Sequence, residues 1–452
     1  MRALLLTTLL ATAMQTIPTQ AQQLAPTPPM GWNSWDSYGL SITEAQFRAN
    51  VDVQAEKLKS FGWQYAVIDE GWYLKDPLAP TKAQAAEYVR DAYGRHVPAV
   101  SRYPSAANDA GLKPIADYVH SLGLKFGIHI VRGIPREAVT ENVPITGSQF
   151  HMQEAADTTD VCPWNTENYG VRDNAAGQAW YDSLLKQYAS WDVDYIKVDC
   201  ISSHPYKGDE IRMVHRAIEH AGRPMVLSLS PGPTPLDQAA EVGANSQLWR
   251  ISDDFWDMWD KPTGKGAFSP GLKKQFTTIA AWEPYAKPGN WPDADMLPIG
   301  QLSPVPGYGK PRMTRFTPDE QHTLITLWSI ARSPLILGAN LTELDADTMA
   351  LITNPEVIAV DQQSTGNRVA FTSEHMQAWT AKATGSTSKG GTYLALFNLG
   401  DTPDGLDLSF QLLGLESKQY KVRDLWQRQD LGSWKSCKVQ IPAHASMLLL
   451  LR

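Results

Sequence analysis

The sequence predicts a (β/α)8 TIM barrel followed by a C-terminal antiparallel β-sandwich. Short apolar runs alternate with amphipathic segments over residues 26–362, and polar residues stand where several runs end. Over residues 363–452 the pattern changes to short alternating runs separated by turn residues. A doubly wound open sheet is the alternative for the first region, but no Gly-rich turn follows its first run.

The individual elements follow from the same patterns. Eight runs are candidate barrel strands: 30–35, 65–69, 125–131, 195–199, 225–230, 248–254, 295–299 and 334–338. In the first helix, Ser41 and Glu44 fit a capping box, Phe47 and Val51 begin an apolar stripe, and Gly62 can end the element. The later runs at 391–398, 406–412, 420–426 and 447–451 are candidate sandwich strands.

Charge and the N-terminal segment restrict the partners and the location. The formal net charge is -8 and no long basic run occurs, which argues against nucleic acid or an anionic membrane as a partner. Arg2, the apolar residues 3–13 and a small-residue site at Ala21 predict a signal peptide over residues 1–21. We expect an exported protein, periplasmic or extracellular, with no membrane insertion after cleavage. An uncleaved anchor is the alternative, although the apolar stretch is short for a spanning helix.

The chain has only three cysteines, Cys162, Cys200 and Cys437, so it is neither a disulfide scaffold nor a cysteine-rich zinc module. An oxidising compartment would permit one bridge. We expect Cys162 to pair with Cys200, because Cys200 follows a strand-end carboxylate and Cys162 lies in the long loop before that strand.

The run YIKVD, residues 195–199, places a lysine and a carboxylate on an apolar strand. Side chains alternate across a strand, so Lys197 and Asp199 share one face. The lysine would keep the aspartate ionised, which suits a group held for chemistry. A structural ion pair is the other interpretation.

A second carboxylate follows from the predicted strand 248–254. The period of two places Arg250, Ser252 and Asp254 on one face, which favours Asp254 over Asp253. Asp199 and Asp254 would then converge over the barrel mouth, where glycoside hydrolysis needs one nucleophile and one acid that stays protonated until it donates. For Asp254, an N-cap role in the next helix is the alternative.

Sugar binding also needs flat apolar faces and hydrogen-bonding groups. Trp32 is the candidate platform, and Asp69, Glu70 and Arg250 are candidate hydrogen-bonding residues. His129 falls on a strand end, where it could contact substrate or simply pack in the barrel. No His-Glu-x-x-His motif, Gly-x-Ser-x-Gly elbow or P-loop occurs, so no metal or cofactor is expected. A metal hydrolase with Asp and Glu ligands is the remaining alternative.

Several motifs in order resemble the melibiase-type α-galactosidases, family 27 of glycoside hydrolase clan D. They are TPPMGWNSW at 27–35, IDEGW at 68–72, YIKVD at 195–199, WRISDD at 249–254, WPDADML at 291–297 and SPL at 333–335. The resemblance implies a TIM barrel, retention of anomeric configuration through a covalent intermediate, an oligo- or polysaccharide substrate and no cofactor. It also implies these roles: Asp199 as nucleophile, Asp254 as acid/base, Lys197 and Arg250 as donors to sugar hydroxyls, Trp32 as the platform and Asp69 as the ligand of the far hydroxyls.

Two departures from the family bear on the substrate. Glu70 stands where the family's galactosidases usually have a second aspartate, and its extra methylene moves the carboxylate toward the hydroxymethyl group of galactose. Residues 228–233 also differ from the family pattern and are expected to shape the pocket. We therefore predict hydrolysis of terminal α-D-galactosides. The alternatives are hydrolysis of β-L-arabinopyranosides, or of other α-glycosides, for example the release of isomaltose from glucans. A non-catalytic carbohydrate-binding protein is the alternative from a different class.

Overall fold

A barrel of eight parallel strands forms the first part of the molecule, as predicted. The computed structural model describes residues 23–77, 87–261, 263, 268–302, 310–386, 388 and 390–452; the predicted signal peptide, residues 1–21, lies outside them. The strands are β1 Met30–Asn33, β2 Tyr65–Ile68, β3 Lys125–Val131, β4 Tyr195–Asp199, β5 Val226–Leu229, β6 Leu248–Arg250, β7 Trp291–Asp293 and β8 Leu335–Leu337. They pair in the order β7-β6-β5-β4-β3-β2-β1-β8. A parallel bridge between Leu297 and Leu337 joins the two edges.

Two strands differ from their predicted bounds. The seventh strand was expected at 295–299, yet it lies at Trp291–Asp293. Asp295 has a φ of 90°, which interrupts the extended run, and Pro298 has no N–H for a ladder. The sixth strand ends at Arg250, so Asp254 lies in the loop that follows and not on the strand face that predicted it.

Twelve α-helices cover the barrel within the described ranges: α1 Trp35–Tyr38, α2 Glu44–Val53, α3 Lys113–Ser121, α4 Arg136–Glu141, α5 Met152–Ala155, α6 Ala175–Ser190, α7 Gly208–Ala221, α8 Ala239–Asn245, α9 Leu272–Trp282, α10 Pro318–Ala331, α11 Ala346–Ile352 and α12 Pro355–Gln362. The predicted capping box of Ser41 and Glu44 is wrong. Thr43 and Gln46 form the box of α2, because Ser41 ends a short 3-10 turn and the helix begins only at Glu44. None of the described helices is long and apolar enough to cross a membrane.

The C-terminal part is the predicted antiparallel β-sandwich. Its strands are β9 Ser364–Thr372, β10 Met376–Ala383, β11 Thr392–Asn398, β12 Asp404–Leu408, β13 Tyr420–Asp424, β14 Gln429–Trp434, β15 Cys437–Ile441 and β16 Ser446–Leu451. Six of them pair in the order β9-β10-β11-β16-β13-β14, and β12 pairs with β15. One face of the six-stranded sheet packs on the barrel helices, where the rings of Phe276 and Phe397 lie 4.9 Å apart. The other face packs against β12 and β15.

His444 connects the sandwich to the barrel. Its ring stacks on Trp259 at 3.9 Å between centroids, and its two nitrogens lie 2.8 Å from Glu320 and 3.0 Å from Asp401. Trp259 belongs to the loop after β6, and Glu320 lies in the first turn of α10. His444 therefore fixes the loop after β6 and a barrel helix to the C-terminal sheet.

Replacing His444 with Ala is expected to lower the free energy of unfolding by about 1–3 kcal/mol, because it removes an aromatic stack and leaves Glu320 without its imidazole partner. Urea denaturation of the variant and of the wild type measures the difference. Asp401→Asn, which alters only the exposed end of the contact, is the control and should cost less. Equal effects in the two variants would contradict the role given to the stack and to Glu320.

Candidate active site

A polar pocket opens at the carboxyl ends of the barrel strands. It encloses about 500 Å³, part of it open to solvent. Its lining consists of Trp35, Asp36, Asp69, Glu70, His129, Trp164, Lys197, Asp199, Arg250, Asp254, Phe255, Trp256, Asp295 and Met296. Every side chain predicted for catalysis or substrate binding is among them, with the exception of Trp32. Side chains from distant parts of the sequence thus meet where a barrel carries its chemistry.

Trp32 is not the sugar platform, contrary to the sequence-based prediction. Its side chain is 0% exposed, it packs on Phe47 of α2 at 5.7 Å between ring centroids, and its indole donates to the Ala339 carbonyl. Side chains alternate along β1, so Trp32 faces the helices while Asn33 points into the barrel and donates to Asp69. Trp35, beyond the end of the strand, is the tryptophan of this segment that lines the pocket.

Asp199 stands at the end of β4 among hydrogen-bond donors. Its Oδ1 accepts from the Trp164 indole at 3.0 Å, and its Oδ2 lies 3.5 Å from His129 Nε2 and 3.4 Å from Ser230 Oγ. Burial would raise the pKa of Asp199, but the hydrogen bond and charge of His129 and the charge of Lys197 outweigh it and lower the pKa. Asp199 is therefore held as a carboxylate.

Lys197 pairs directly with Asp69 rather than with Asp199. Its Nζ lies 3.0 Å from Asp69 Oδ2, and Asn33 donates to the same oxygen at 2.7 Å. Burial opposes the ionisation of Asp69, yet the charges of Lys197 and His129 lower its pKa. Lys197 and Asp69 together present a fixed cation and a fixed anion to the pocket, a combination suited to orienting vicinal hydroxyls.

Glu70 follows Asp69 and also faces the pocket. Asn165 Nδ2 donates to its Oε1 at 2.9 Å. Burial raises the pKa of Glu70 to about 7; the charge of His129 opposes the shift, and the charges of Asp199 and Asp69 reinforce it. Glu70 is thus a second carboxyl group beside Asp69 in the pocket, held in place by a residue of a distant loop.

Arg250 organises the opposite side of the pocket. Its Nη2 lies 2.6 Å from Asp295 Oδ2 and 3.3 Å from Asp254 Oδ1. Asp295 also accepts the backbone N–H of Phe255 at 2.7 Å, so it fixes the loop that carries Asp254. The side chain of Asp254 is 51% exposed, in contrast to that of Asp199, which is 16% exposed. Asp254 is therefore the more solvent-accessible of these two carboxyl groups.

The loop at 162–165 supplies residues that the sequence did not single out. Cys162 and Cys200 form a disulfide, with Cα atoms 6.0 Å apart, and this places Trp164 beside Asp199. The expected Cys162–Cys200 pairing was the available signal, since Trp164 lies two residues from one of its ends. Phe255, Trp256, Asp295 and Met296 also line the pocket and were not assigned to it, although Asp295 and Met296 belong to the motif WPDADML at 291–297.

Residues 228–233, which are expected to shape the pocket, form the end of β5 and the loop after it. Among the pocket-lining side chains of the described residues, none comes from 228–233; that loop reaches the site only through Ser230, which donates to Asp199. In the part of the chain that the structure describes, no group of three or more His, Cys, Asp or Glu side chains is arranged to hold a metal ion.

The raised pKa of Glu70 predicts a pH-dependent difference between wild type and Glu70→Gln. The proton leaves at about 7 in the folded protein and at 4.5 in the unfolded chain, so its stabilising contribution is complete below pH 4.5 and is lost as the pH rises toward 7. The variant has no such loss and should gain up to about 3 kcal/mol relative to wild type over this range. Thermal melts of both proteins at pH 4.5, 6 and 8 measure the difference; a constant gap would contradict it.

Comparison with known proteins gives consistent matches along the chain. A family profile described as "Alpha galactosidase A" matches residues 172–363, and one described as "Alpha galactosidase C-terminal beta sandwich domain" matches residues 373–451. The structure is similar to that of a family 27 β-L-arabinopyranosidase from Geobacillus stearothermophilus, with 44% identity, a TM-score of 0.88 and coverage of 94% of this chain and 96% of the other. Curated relatives include alpha-galactosidase A of Cellvibrio japonicus, 26% identical over 95% of this chain and 93% of its own. An alpha-galactosidase of Coffea arabica is 29% identical over 94% and 92%.

Proposed function

We propose that this chain, which belongs to glycoside hydrolase family 27 and is a glycosidase, removes terminal β-L-arabinopyranosyl residues with retention of configuration. The observation that carries the choice of sugar is the position of Glu70, whose carboxyl group lines the pocket beside Asp69. Terminal α-D-galactosides, the first expectation from sequence, are the second candidate. The curated α-galactosidases favour them, although these relatives are only 26–29% identical.

The proposed reaction is a double displacement. Asp199 attacks the anomeric carbon and forms an ester bond to it, while the glycosidic C–O bond breaks and Asp254 donates its proton to the departing oxygen. In the second step Asp254 takes a proton from water, the water oxygen bonds to the anomeric carbon, and the ester electrons return to Asp199. The half-exposed position of Asp254 suits both exchanges with leaving group and water.

The remaining pocket side chains bind and orient the sugar. Lys197, Asp69 and Arg250 offer fixed charges to the hydroxyls, and they are already hydrogen-bonded to one another or to neighbouring carboxylates before substrate arrives. Such preorganised groups need little rearrangement in the transition state. Trp35 takes the platform role that Trp32 was expected to have.

The preference for a pentopyranose rests on space. β-L-Arabinopyranose has the hydroxyl pattern of α-D-galactose without the C6 hydroxymethyl group. The extra methylene of Glu70, compared with an aspartate, extends the carboxyl group toward that hydroxymethyl position, and Asn165 holds it there. The 44% identical arabinopyranosidase supports the choice of sugar.

The test is hydrolysis of p-nitrophenyl β-L-arabinopyranoside and p-nitrophenyl α-D-galactopyranoside by the wild-type protein, side by side. We expect the larger kcat/KM on the arabinopyranoside. A larger value on the galactoside would favour the second candidate, and no turnover of either would direct attention to the other α-glycosides.

We also propose that the protein is exported after removal of residues 1–21. The charged and apolar N-terminal pattern supports export, and the Cys162–Cys200 disulfide fits the oxidising compartments in which disulfides form and persist. N-terminal sequencing of the protein recovered from its native host tests it. A mature chain that still begins at Met1 would contradict the proposal.

A further inference from the structure

One loop places two consecutive side chains on two different carboxyl groups of the pocket. Trp164 Nε1 donates to Asp199 Oδ1 at 3.0 Å, and Asn165 Nδ2 donates to Glu70 Oε1 at 2.9 Å. The contact to Trp164 is the shortest side-chain hydrogen bond that Asp199 makes in the described structure; those to His129 and Ser230 are 3.5 and 3.4 Å. Trp164 is therefore in direct contact with the group that reacts.

The loop is fixed to the end of β4 by two sets of bonds. The disulfide joins Cys162 to Cys200, the residue after Asp199. Arg132, a buried side chain, donates from Nε to the Cys200 carbonyl at 2.6 Å and from Nη1 and Nη2 to Asp160 at 2.9 and 3.0 Å. Asp160 lies two residues before Cys162, so Arg132 and the disulfide together hold the indole of Trp164 next to the carboxylate of Asp199.

We infer that Trp164 is a catalytic residue that stabilises the Asp199 carboxylate when it is released from the glycosyl-enzyme; this rests on the proposed double displacement. A hydrogen bond to a carboxylate is stronger than one to an ester oxygen, since the full charge is lost when the ester forms. The indole N–H thus favours the state in which Asp199 is free. It accelerates the second step, in which the ester electrons return to Asp199, at the expense of the first.

The contact also explains an otherwise unfavourable exposure. The Trp164 side chain is 40% exposed, an unusual position for a large aromatic ring unless it has a partner there. Trp164 lines the pocket, and its indole N–H is engaged by Asp199.

Trp164→Phe keeps an aromatic ring and removes the N–H, so it tests the inference. The substrate is the dinitrophenyl glycoside of whichever of the two sugars the wild type hydrolyses. We expect kcat to fall about 10- to 100-fold, because the second step limits it with such a leaving group. The kcat/KM, which reports the first step, should stay unchanged or rise, and a burst of dinitrophenol should appear in stopped flow. Trp434→Phe, on strand β14 of the sandwich, is the matched control and should behave as wild type.

The outcomes separate this inference from the proposed function. Proton NMR of the first sugar product from the wild type is recorded beforehand, and an inverted anomer would overturn the double displacement itself. With retention established, a parallel fall of kcat and kcat/KM in Trp164→Phe without a burst would reduce Trp164 to a structural role. Wild-type values of both parameters would equally overturn the inference.

Discussion

Replacing Asp199 with Ala is expected to lower kcat by about four orders of magnitude or more, whichever glycoside is used. The variant has no carboxylate oxygen to bond to the anomeric carbon. His129 and Lys197, which keep Asp199 ionised in the wild type, then have no nucleophile to hold in that state. Asp199 is the group on which His129, Trp164 and Ser230 converge, so its role depends on no single contact.

The measurement is steady-state hydrolysis of an aryl glycoside, with binding of the free sugar followed separately by calorimetry. Asp253→Ala is the matched control, because Asp253 neighbours Asp254 in sequence but contacts His204 and does not line the pocket. It should retain most of the activity. If Asp199→Ala still binds sugar and its turnover does not differ from that of the wild type, the protein would instead be a carbohydrate-binding protein.

Replacing Glu70 with Asp is expected to shift the ratio of kcat/KM values toward the galactoside by about 10- to 200-fold, the range for one methylene group in a pocket. Shortening the side chain withdraws the carboxyl group from the space that the hydroxymethyl group of galactose needs. Asn165 would lose its close partner, so activity on the arabinopyranoside should fall as that on the galactoside rises.

The ratio is measured with the two p-nitrophenyl glycosides under identical conditions. Glu167→Asp makes the same one-methylene change in the neighbouring loop, outside the pocket lining, and should leave the ratio as it is in wild type. An unchanged ratio in Glu70→Asp would remove Glu70 from the determination of the substrate.

The fold and most of the pocket could be predicted because they depend on periodic patterns. In a parallel barrel, each strand delivers its last side chains to the same rim, so Asp69, His129, Lys197 and Asp199 could be placed together from local sequence alone. Alternation along β4 correctly put Lys197 and Asp199 on the pocket side, since both line the site. The family resemblance added the roles of these groups.

The parts that sequence could not predict depend on loops and on tertiary contacts. The predicted alternation of side chains at β6 extended beyond the end of the strand. The chain leaves the sheet after Arg250 and reaches Asp254 through a loop anchored by Asp295. Trp32, the expected platform, has its ring covered by α2, a tertiary contact that the pattern of its own segment does not reveal. Trp164 is placed at the site by the disulfide and by the contacts of Arg132 to Asp160 and Cys200, which are all of long sequence separation.

Covalent trapping with competing sugars tests the central claim most directly. The wild-type protein is incubated with equal amounts of C2-fluorinated dinitrophenyl glycosides of β-L-arabinopyranose and α-D-galactose, and the labelled peptide is identified by mass spectrometry. A retaining enzyme with Asp199 as nucleophile and a pocket restricted by Glu70 predicts a pentosyl adduct on Asp199. A hexosyl adduct in excess, or a label on another residue, would contradict the account.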